Sequence, residues 1–402
     1  MSLKYQHTID FIKELYKKNC PGGERIDLHQ PIFLGNEKKY LCDCIDTTFV
    51  SSVGQYVDRF EKEMASFTGA KRAVVCVNGT MALFMALKLC GVASGDEVIT
   101  QPLTFIATAN AITYCNARPI FCDVDLDTMG LSPAAVRTWL EENAEIKIGR
   151  DGKKYCVNKS THAVIRSVVP MHTFGHPVKI DEFQKLCDEW CLDLIEDAAE
   201  SIGSFYRHAS TGKFEHTGTF GKIGCMSFNG NKTITCGGGG ILLCMDEDIA
   251  ERAKHLTTQA KIPHRWEFKH DAVGYNLRMP NINAALGCAQ MENLSDILEN
   301  KRKTAMEYKN YFSCSKAKNL GLHFFDEPQD CKSNFWLNSI LLPTHEEQID
   351  FLTETNDNGV QTRPIWELMN RLQMFAGCIC GDLSNAEMFA DRVVNIPSGY
   401  RL

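Results

Sequence analysis

Lys232 is a lone amine between the apolar run Cys225-Met226-Ser227-Phe228 and four consecutive glycines, Gly237 to Gly240. A second apolar run, 241–244, follows. The pattern over 224–244 predicts strand, turn and strand, with glycine where the backbone approaches something closely. A partly buried lysine can lose its proton and act as a nucleophile, although most lysines are simply solvated. Three upstream features supply what such an amine would need. Asn78-Gly79-Thr80 joins a predicted strand (73–77) to an apolar helix (81–89), so helix amides and dipole could hold an anion there. Thr104 and Phe105 stand in a loop beside that turn, where an aromatic ring could lie on a planar group or fill core. Asp197 follows a strand at 192–195 in the pair Glu196-Asp197, where open α/β sheets bind ligands; it could equally cap a turn. A phosphate cradle, a stacking ring, an acid and an amine, in that order, are the parts a pyridoxal phosphate site requires.

The elements that would position these groups alternate. Strands are predicted at Glu97–Thr100 and 119–123, with a helix at 106–115 between them. Another strand–helix–strand passage leads to Asp197. This alternation over 70–245 predicts an α/β fold with a mostly parallel sheet. The continuous apolar character of 73–77 predicts a strand inside its parallel part. Residues 1–30 read as a helix and an extended arm. Residues 31–290 read as one large α/β domain. Residues 291–402 read as a smaller α+β domain with a strand-like run, 335–342. The polar stretch 141–162, with a turn at Asp151-Gly152, reads as a surface insertion.

Composition narrows the function class. The chain has 402 residues, 44% hydrophobic and 23% charged, with a formal net charge of -7 and no long block of one sign. That excludes a basic nucleic-acid surface and provides no electrostatic membrane anchor. No signal peptide and no membrane span is expected. The eighteen cysteines lack zinc-ligand or CxxC spacing. They read as small core residues of a protein in a reducing cytoplasm, with no metal site. A G-x-G-x-x-G dinucleotide fingerprint is missing, as is a helix-turn-helix of the kind a regulator would carry.

The segments VNGTMAL (77–83), TFIATANAI (104–112), DVDLDT (123–128), EDAAES (196–201), SFNGNKTITCGGGG (227–240) and GYNLRMPNINAALG (274–287) resemble the DegT/DnrJ/EryC1/StrS sugar aminotransferases, within fold type I pyridoxal phosphate enzymes. The resemblance implies Lys232 as the Schiff-base lysine and Asp197 as partner of the pyridinium nitrogen. It implies Gly79, Thr80 and Ser227 at the phosphate, Phe105 on the ring and Glu200 near the phenolic oxygen. Asn276 resembles a phosphate contact supplied by the second subunit of a homodimer. The implied reaction moves an amino group from L-glutamate to a nucleotide-linked keto sugar, at C4, on a route to surface glycans. Arg363 and Trp366 are candidate substrate contacts, as is the arm at 26–36. Three departures (Gly238 where an acid is common, Glu200, and the insertion 141–162) resemble a subgroup acting on UDP-linked 4-keto-6-deoxy-N-acetylhexosamines. The rival readings are amination at C3, and an inactive or regulatory cofactor-binding protein. A dehydratase branch, in which histidine replaces the lysine, is disfavoured by Lys232.

Overall fold

Apolar runs of four to six residues form the strands that carry the site, and their registers define one large sheet. The computed structural model describes residues 3–22 and 25–402. Positions 1, 2, 23 and 24 of the N-terminal segment lie outside the described residues.

The strands are β1 (Arg72–Cys76), β2 (Glu97–Thr100), β3 (Arg118–Phe121), β4 (Ala144–Ile148), β5 (Lys154–Asn158), β6 (Val164–Val169), β7 (Asp193–Asp197), β8 (Phe205–Arg207), β9 (Phe214–His216), β10 (Ile223–Ser227) and β11 (Gly240–Cys244). Later in the chain come β12 (His323–Phe324), β13 (Cys331–Lys332), β14 (Asn338–Leu341), β15 (Arg363–Pro364), β16 (Ile379–Cys380) and β17 (Val393–Ile396). The large sheet has ten strands in the order β1-β11-β10-β7-β6-β2-β3-β16, with the β4/β5 pair branching from β6. Pairings from β10 through β16 along that path are parallel.

The chain's first ten α-helices are α1 (Gln6–Leu15), α2 (Glu37–Asp46), α3 (Gln55–Thr68), α4 (Gly79–Leu89), α5 (Ile106–Tyr114), α6 (Pro133–Asn143), α7 (Ile180–Trp190), α8 (Glu247–Thr257), α9 (Asn281–Glu292) and α10 (Leu294–Phe312). They cover both faces of the sheet. Val74, Cys76, Val98 and Ile195 pack with α4, α5 and α8. Ala73, Val75, Ile241 and Leu243 face the other way, onto α3 and α9. Ile99, Ile120 and Val168 face α6 and α7. The period of two along each strand produces this three-layer packing.

Two expectations are corrected. β1 is not in the parallel part: it pairs antiparallel with β11, at one end of the sheet order. Its continuous apolar run reports burial on both faces, which helices α3/α9 and α4/α8 impose whatever the strand direction. The stretch 141–162 is more than surface. β4 and β5 form an antiparallel hairpin, and β5 continues the sheet through Cys156↔Ile165 and Val157↔Val164. Asn158 Nδ2 donates to buried Glu97 Oε2 at 2.8 Å, and Thr161 Oγ1 donates to Oε1 at 2.9 Å. The outer part of β4, the turn at 150–154 and residues 159–162 stay exposed, with Ile148 at 74%.

Residues 291–402 contain a four-stranded antiparallel sheet, β12-β14-β17-β15. The N-terminal helix shares its core: Ile9, Ile12 and Tyr16 pack with Tyr308, Phe351 and Ile396. Among the described residues no helix is long and apolar enough to cross a membrane. Most of the cysteines are buried, Cys76, Cys225 and Cys244 among them. Burial pushes thiols such as Cys76 and Cys225 well up, which suits a packing role.

Candidate active site

Strand alternation at the end of β7 separates its two carboxylates. Glu196 turns into the protein and is consumed by structure. Its oxygens accept from the amides of Gly218, Phe220 and Gly221, each at 2.7 Å, and pair with His172 Nε2 at 3.0 Å. His172 Nδ1 accepts from the Val178 amide at 3.2 Å, so its proton sits on Nε2 and points at Glu196. Asp197 turns the other way, into a cavity of about 370 Å³. Thr108 Oγ1 donates to its Oδ2 at 2.6 Å and the Ala199 amide to Oδ1 at 3.2 Å. Burial pushes the Asp197 carboxyl above its ordinary range, against those two bonds and the Lys232 charge.

One end of the cavity is the N-terminus of α4. Asn78, in an extended conformation, caps it by accepting from the Met81 amide at 2.9 Å. The first turn of a helix has no intrahelical acceptors, so the Gly79 and Thr80 amides remain for an anion. Glycine is required at 79 because a Cβ there would stand 2.7 Å from the Ser227 Cβ. That closeness brings the Ser227 hydroxyl to the helix end. Gly240, at the start of β11, has the same reason: a Cβ would meet Asn78 backbone carbon and oxygen at 2.4 Å. The lysine hairpin and the anion turn are thus locked backbone to backbone.

Lys232 lies in the loop between β10 and β11, 13% exposed, with Nζ 3.1 Å from Glu200 Oε1. The Trp336 ring lies under the same amine, 4.1 Å from Nζ to centroid. Trp336 is pinned in turn: its Nε1 donates to Asn231 O at 2.7 Å and its amide to Asn334 Oδ1 at 2.9 Å. Glu200 Oε2 accepts from the Phe174 amide at 3.0 Å. Phe174 has φ +56°, a left-handed conformation costly for an aromatic residue, and it aims that amide at Glu200. Phe174 also packs on Trp366, with ring centroids 5.0 Å apart.

Glu200 is 1% exposed, and burial pushes its carboxyl up to about 7, opposed by Lys232 and the Phe174 amide. Folded protein therefore binds this proton more tightly than unfolded protein. The resulting stability is complete below pH 4.5 and is lost as pH rises through about 7. Glu200→Gln removes the titration. Cofactor-free wild type is expected to lose roughly 3 kcal/mol relative to E200Q between pH 4.5 and 7.5. Parallel denaturant melts check this, and identical pH slopes in the two proteins would refute it.

Gly79, Thr80, Phe105, Asp197, Glu200, Ser227, Lys232 and Trp366, all singled out in the sequence, line this one cavity. Phe105 stands at its edge, 52% exposed, as the extended residue before α5. Gly238 lines it too, and nothing lies within 4 Å of the Cβ an acid there would add. Asn276 and Arg363 are not among the lining residues. Asn276 Oδ1 accepts from Arg278 Nε at 3.0 Å, and exposed Arg363 lies on β15 beside β17. Sequence reasoning missed Trp336, which sat unremarked in an apolar run. It also missed Thr108, in the first turn of α5, whose hydroxyl lies 3.0 Å from that of Thr104 in the loop before the helix.

A flat ring with a phosphate at one end and a basic nitrogen at the other matches these donors. The amides of Gly79 and Thr80 with Ser227 suit the phosphate, Phe105 the ring face, and Asp197 the nitrogen. Pyridoxal phosphate has those features.

Known proteins agree. The sequence pattern described as the DegT/DnrJ/EryC1/StrS aminotransferase family matches residues 33–402. GDP-perosamine synthase of Escherichia coli O157:H7 is 36% identical over 351 residues, covering 87% of each chain. The dTDP-4-dehydro-2,3,6-trideoxy-D-glucose 4-aminotransferase of Saccharopolyspora spinosa is 30% identical over 299 residues, covering 70% of each. The solved aminotransferase TlmJ of Streptoalloteichus hindustanus superposes with a TM-score of 0.79 at 25% identity, over 93% of both chains.

Proposed function

Because the chain belongs to the DegT/DnrJ/EryC1/StrS aminotransferase family, as a sugar aminotransferase that uses pyridoxal phosphate, we propose that it carries the amino group of L-glutamate to C4 of a nucleotide-linked 4-keto-6-deoxy sugar. The observation that carries this reading is the meeting of the Lys232 amine, the Asp197 carboxylate and the α4 N-terminus in one cavity. Pyridoxal phosphate, when bound, supplies the electron sink and carries the amino group between the two substrates. Asp197, held by Thr108 and Ala199, keeps a proton on the ring nitrogen. The amides of Gly79 and Thr80 and the Ser227 hydroxyl bind the phosphate. Phe105 would cover the ring and Glu200 would stand near its phenolic oxygen. Lys232 would bond the cofactor and would move a proton to and from the substrate carbon. Trp366, in the same cavity, and Arg363, on β15, contact the sugar nucleotide. The protein acts as a homodimer in which Asn276 completes the phosphate site of the neighbouring subunit. The exposed apolar side chains of Phe49, Val53, Trp266 and Phe268 support such an interface.

Amination at C4 is supported by the likeness to the Saccharopolyspora relative, a 4-aminotransferase. Gly238 and Glu200 keep UDP-linked N-acetylated hexoses among the substrates, while likeness to a GDP-perosamine synthase and a dTDP-sugar aminotransferase favours GDP- and dTDP-linked sugars. The test is 2-oxoglutarate release from L-glutamate with a panel of GDP-, dTDP- and UDP-linked 4-keto and 3-keto sugars. A 4-keto sugar is expected to turn over at least about tenfold faster than its 3-keto isomer, a difference of about 1.4 kcal/mol in barrier. Faster turnover of the 3-keto sugars would overturn C4 amination, and no release from any sugar would overturn the reaction.

A further inference from the structure

Lys301 is a buried amine that the reaction above does not use, and burial pushes it down to about 7. It lies on α10 at 1% exposure, and among the described residues no carboxylate pairs with it. Its Nζ bonds Ser398 O at 2.8 Å, Trp336 O at 3.0 Å and His29 Nε2 at 3.0 Å. An ammonium has three protons, and here it has three acceptors. They come from three separate segments: the N-terminal arm, the loop before β14 and the loop after β17. Burial, and then the charges of Lys301 and Lys232, hold the His29 imidazole well below its ordinary range. It is therefore neutral and accepts at Nε2, which leaves its proton on Nδ1.

The geometry points to a role in catalysis at one remove. Trp336 is the residue whose carbonyl Lys301 holds and whose ring lies under the Lys232 amine. We propose that Lys301 is a positioning residue: its ammonium fixes the Trp336 backbone against the arm and the 397–399 loop, and so sets the ring that stabilises positive charge on Lys232. This rests on the reading of Lys232 as the cofactor-bearing amine. An apolar side chain of equal length would fill the space but leave two carbonyls and an imidazole nitrogen unpaired. Trp336 would then keep its bonds to Asn334 and Asn231 and its packing against Phe174, but lose the backbone anchor to the arm and the 397–399 loop. The other ionisable groups that face Lys232 are Glu200, Asp197 and His29.

The test uses the holoenzyme and the absorbance of the cofactor bonded to lysine, titrated against pH. Cation–π contact with Trp336 favours the protonated form, so losing it lowers the titration midpoint. Trp336→Leu and Lys301→Met are each expected to lower the midpoint by about half a unit to one unit. The double variant is expected to move it no further than the larger single shift, because both act through one contact. Lost stability alone would not move this midpoint. A folded K301M holoenzyme with the wild-type midpoint, or a double variant whose shift is the sum of the singles, overturns the inference. Where K301M does not fold, His29→Phe removes one acceptor only. A smaller shift in the same direction supports the coupling, and an unchanged midpoint overturns it. Lys232→Ala separates this failure from failure of the underlying reading, since a cofactor spectrum unchanged in that variant would remove Lys232 from the chemistry altogether.

Discussion

Lys232→Ala is expected to fold, to bind no cofactor covalently, and to lose roughly 10⁴-fold or more of its turnover with L-glutamate. Proton transfer by a positioned side chain contributes on the order of 10²–10⁴ by itself, and Lys232 also provides the attachment point. The fold should survive because the side chain packs little. Its contacts are one carboxylate and one ring face, on a loop between strands that pair over five residues. Glu200 loses its counter-charge in the variant and takes up a proton at a still higher pH. Two measurements check this: single-turnover 2-oxoglutarate formation, and the Schiff-base absorbance that borohydride abolishes in wild type. Turnover within about tenfold of wild type would remove Lys232 from the chemistry.

Asp197→Asn is expected to cost about 10²–10⁴ in kcat while changing stability little. Shape and volume are conserved. The Thr108 hydroxyl can donate to the asparagine oxygen or accept from its nitrogen, and only the Ala199 amide requires an acceptor. Replacing a buried carboxylate by a neutral amide also relieves the burial that pushes this group up. What the amide cannot do is hold a positive charge on a ring nitrogen opposite it. The loss should therefore appear in kcat more than in KM for L-glutamate, with a shifted cofactor spectrum. A variant whose KM rises while kcat is unchanged would assign Asp197 to binding alone.

Much of this site was legible because each part has a local signature. Gly79 and Thr80 sit between an apolar strand and an apolar helix, Asp197 ends a strand, and Lys232 precedes a glycine run. Local pattern could not separate Glu196 from Asp197, since which of two adjacent carboxylates faces the cavity depends on strand phase. It also misled on β1, where burial by two helix layers produces the same run as a parallel neighbour would. Trp336 and Lys301 were hidden for a related reason. One looked like core in a strand and the other like a solvated helix lysine, and only the joining of distant segments gives them partners. Asn276 and Arg363 came from resemblance alone, and within one chain neither lines the cavity.

The cavity draws its walls from Asn78 to Trp366, and β1 finds its neighbour only when Cys244 returns to Arg72. A ribosome delivers those parts in order. The phosphate cradle, the acid and the lysine emerge first, and the two tryptophans emerge last, on the order of ten seconds later at typical elongation speed. Until then the amine has no ring beneath it and the cavity no far wall. Cofactor loading is therefore a late step in this protein's biogenesis. Nascent chains arrested between Lys232 and Trp336 are expected to give no borohydride-fixed pyridoxyl adduct at Lys232, and such an adduct would show that the site closes without its cap.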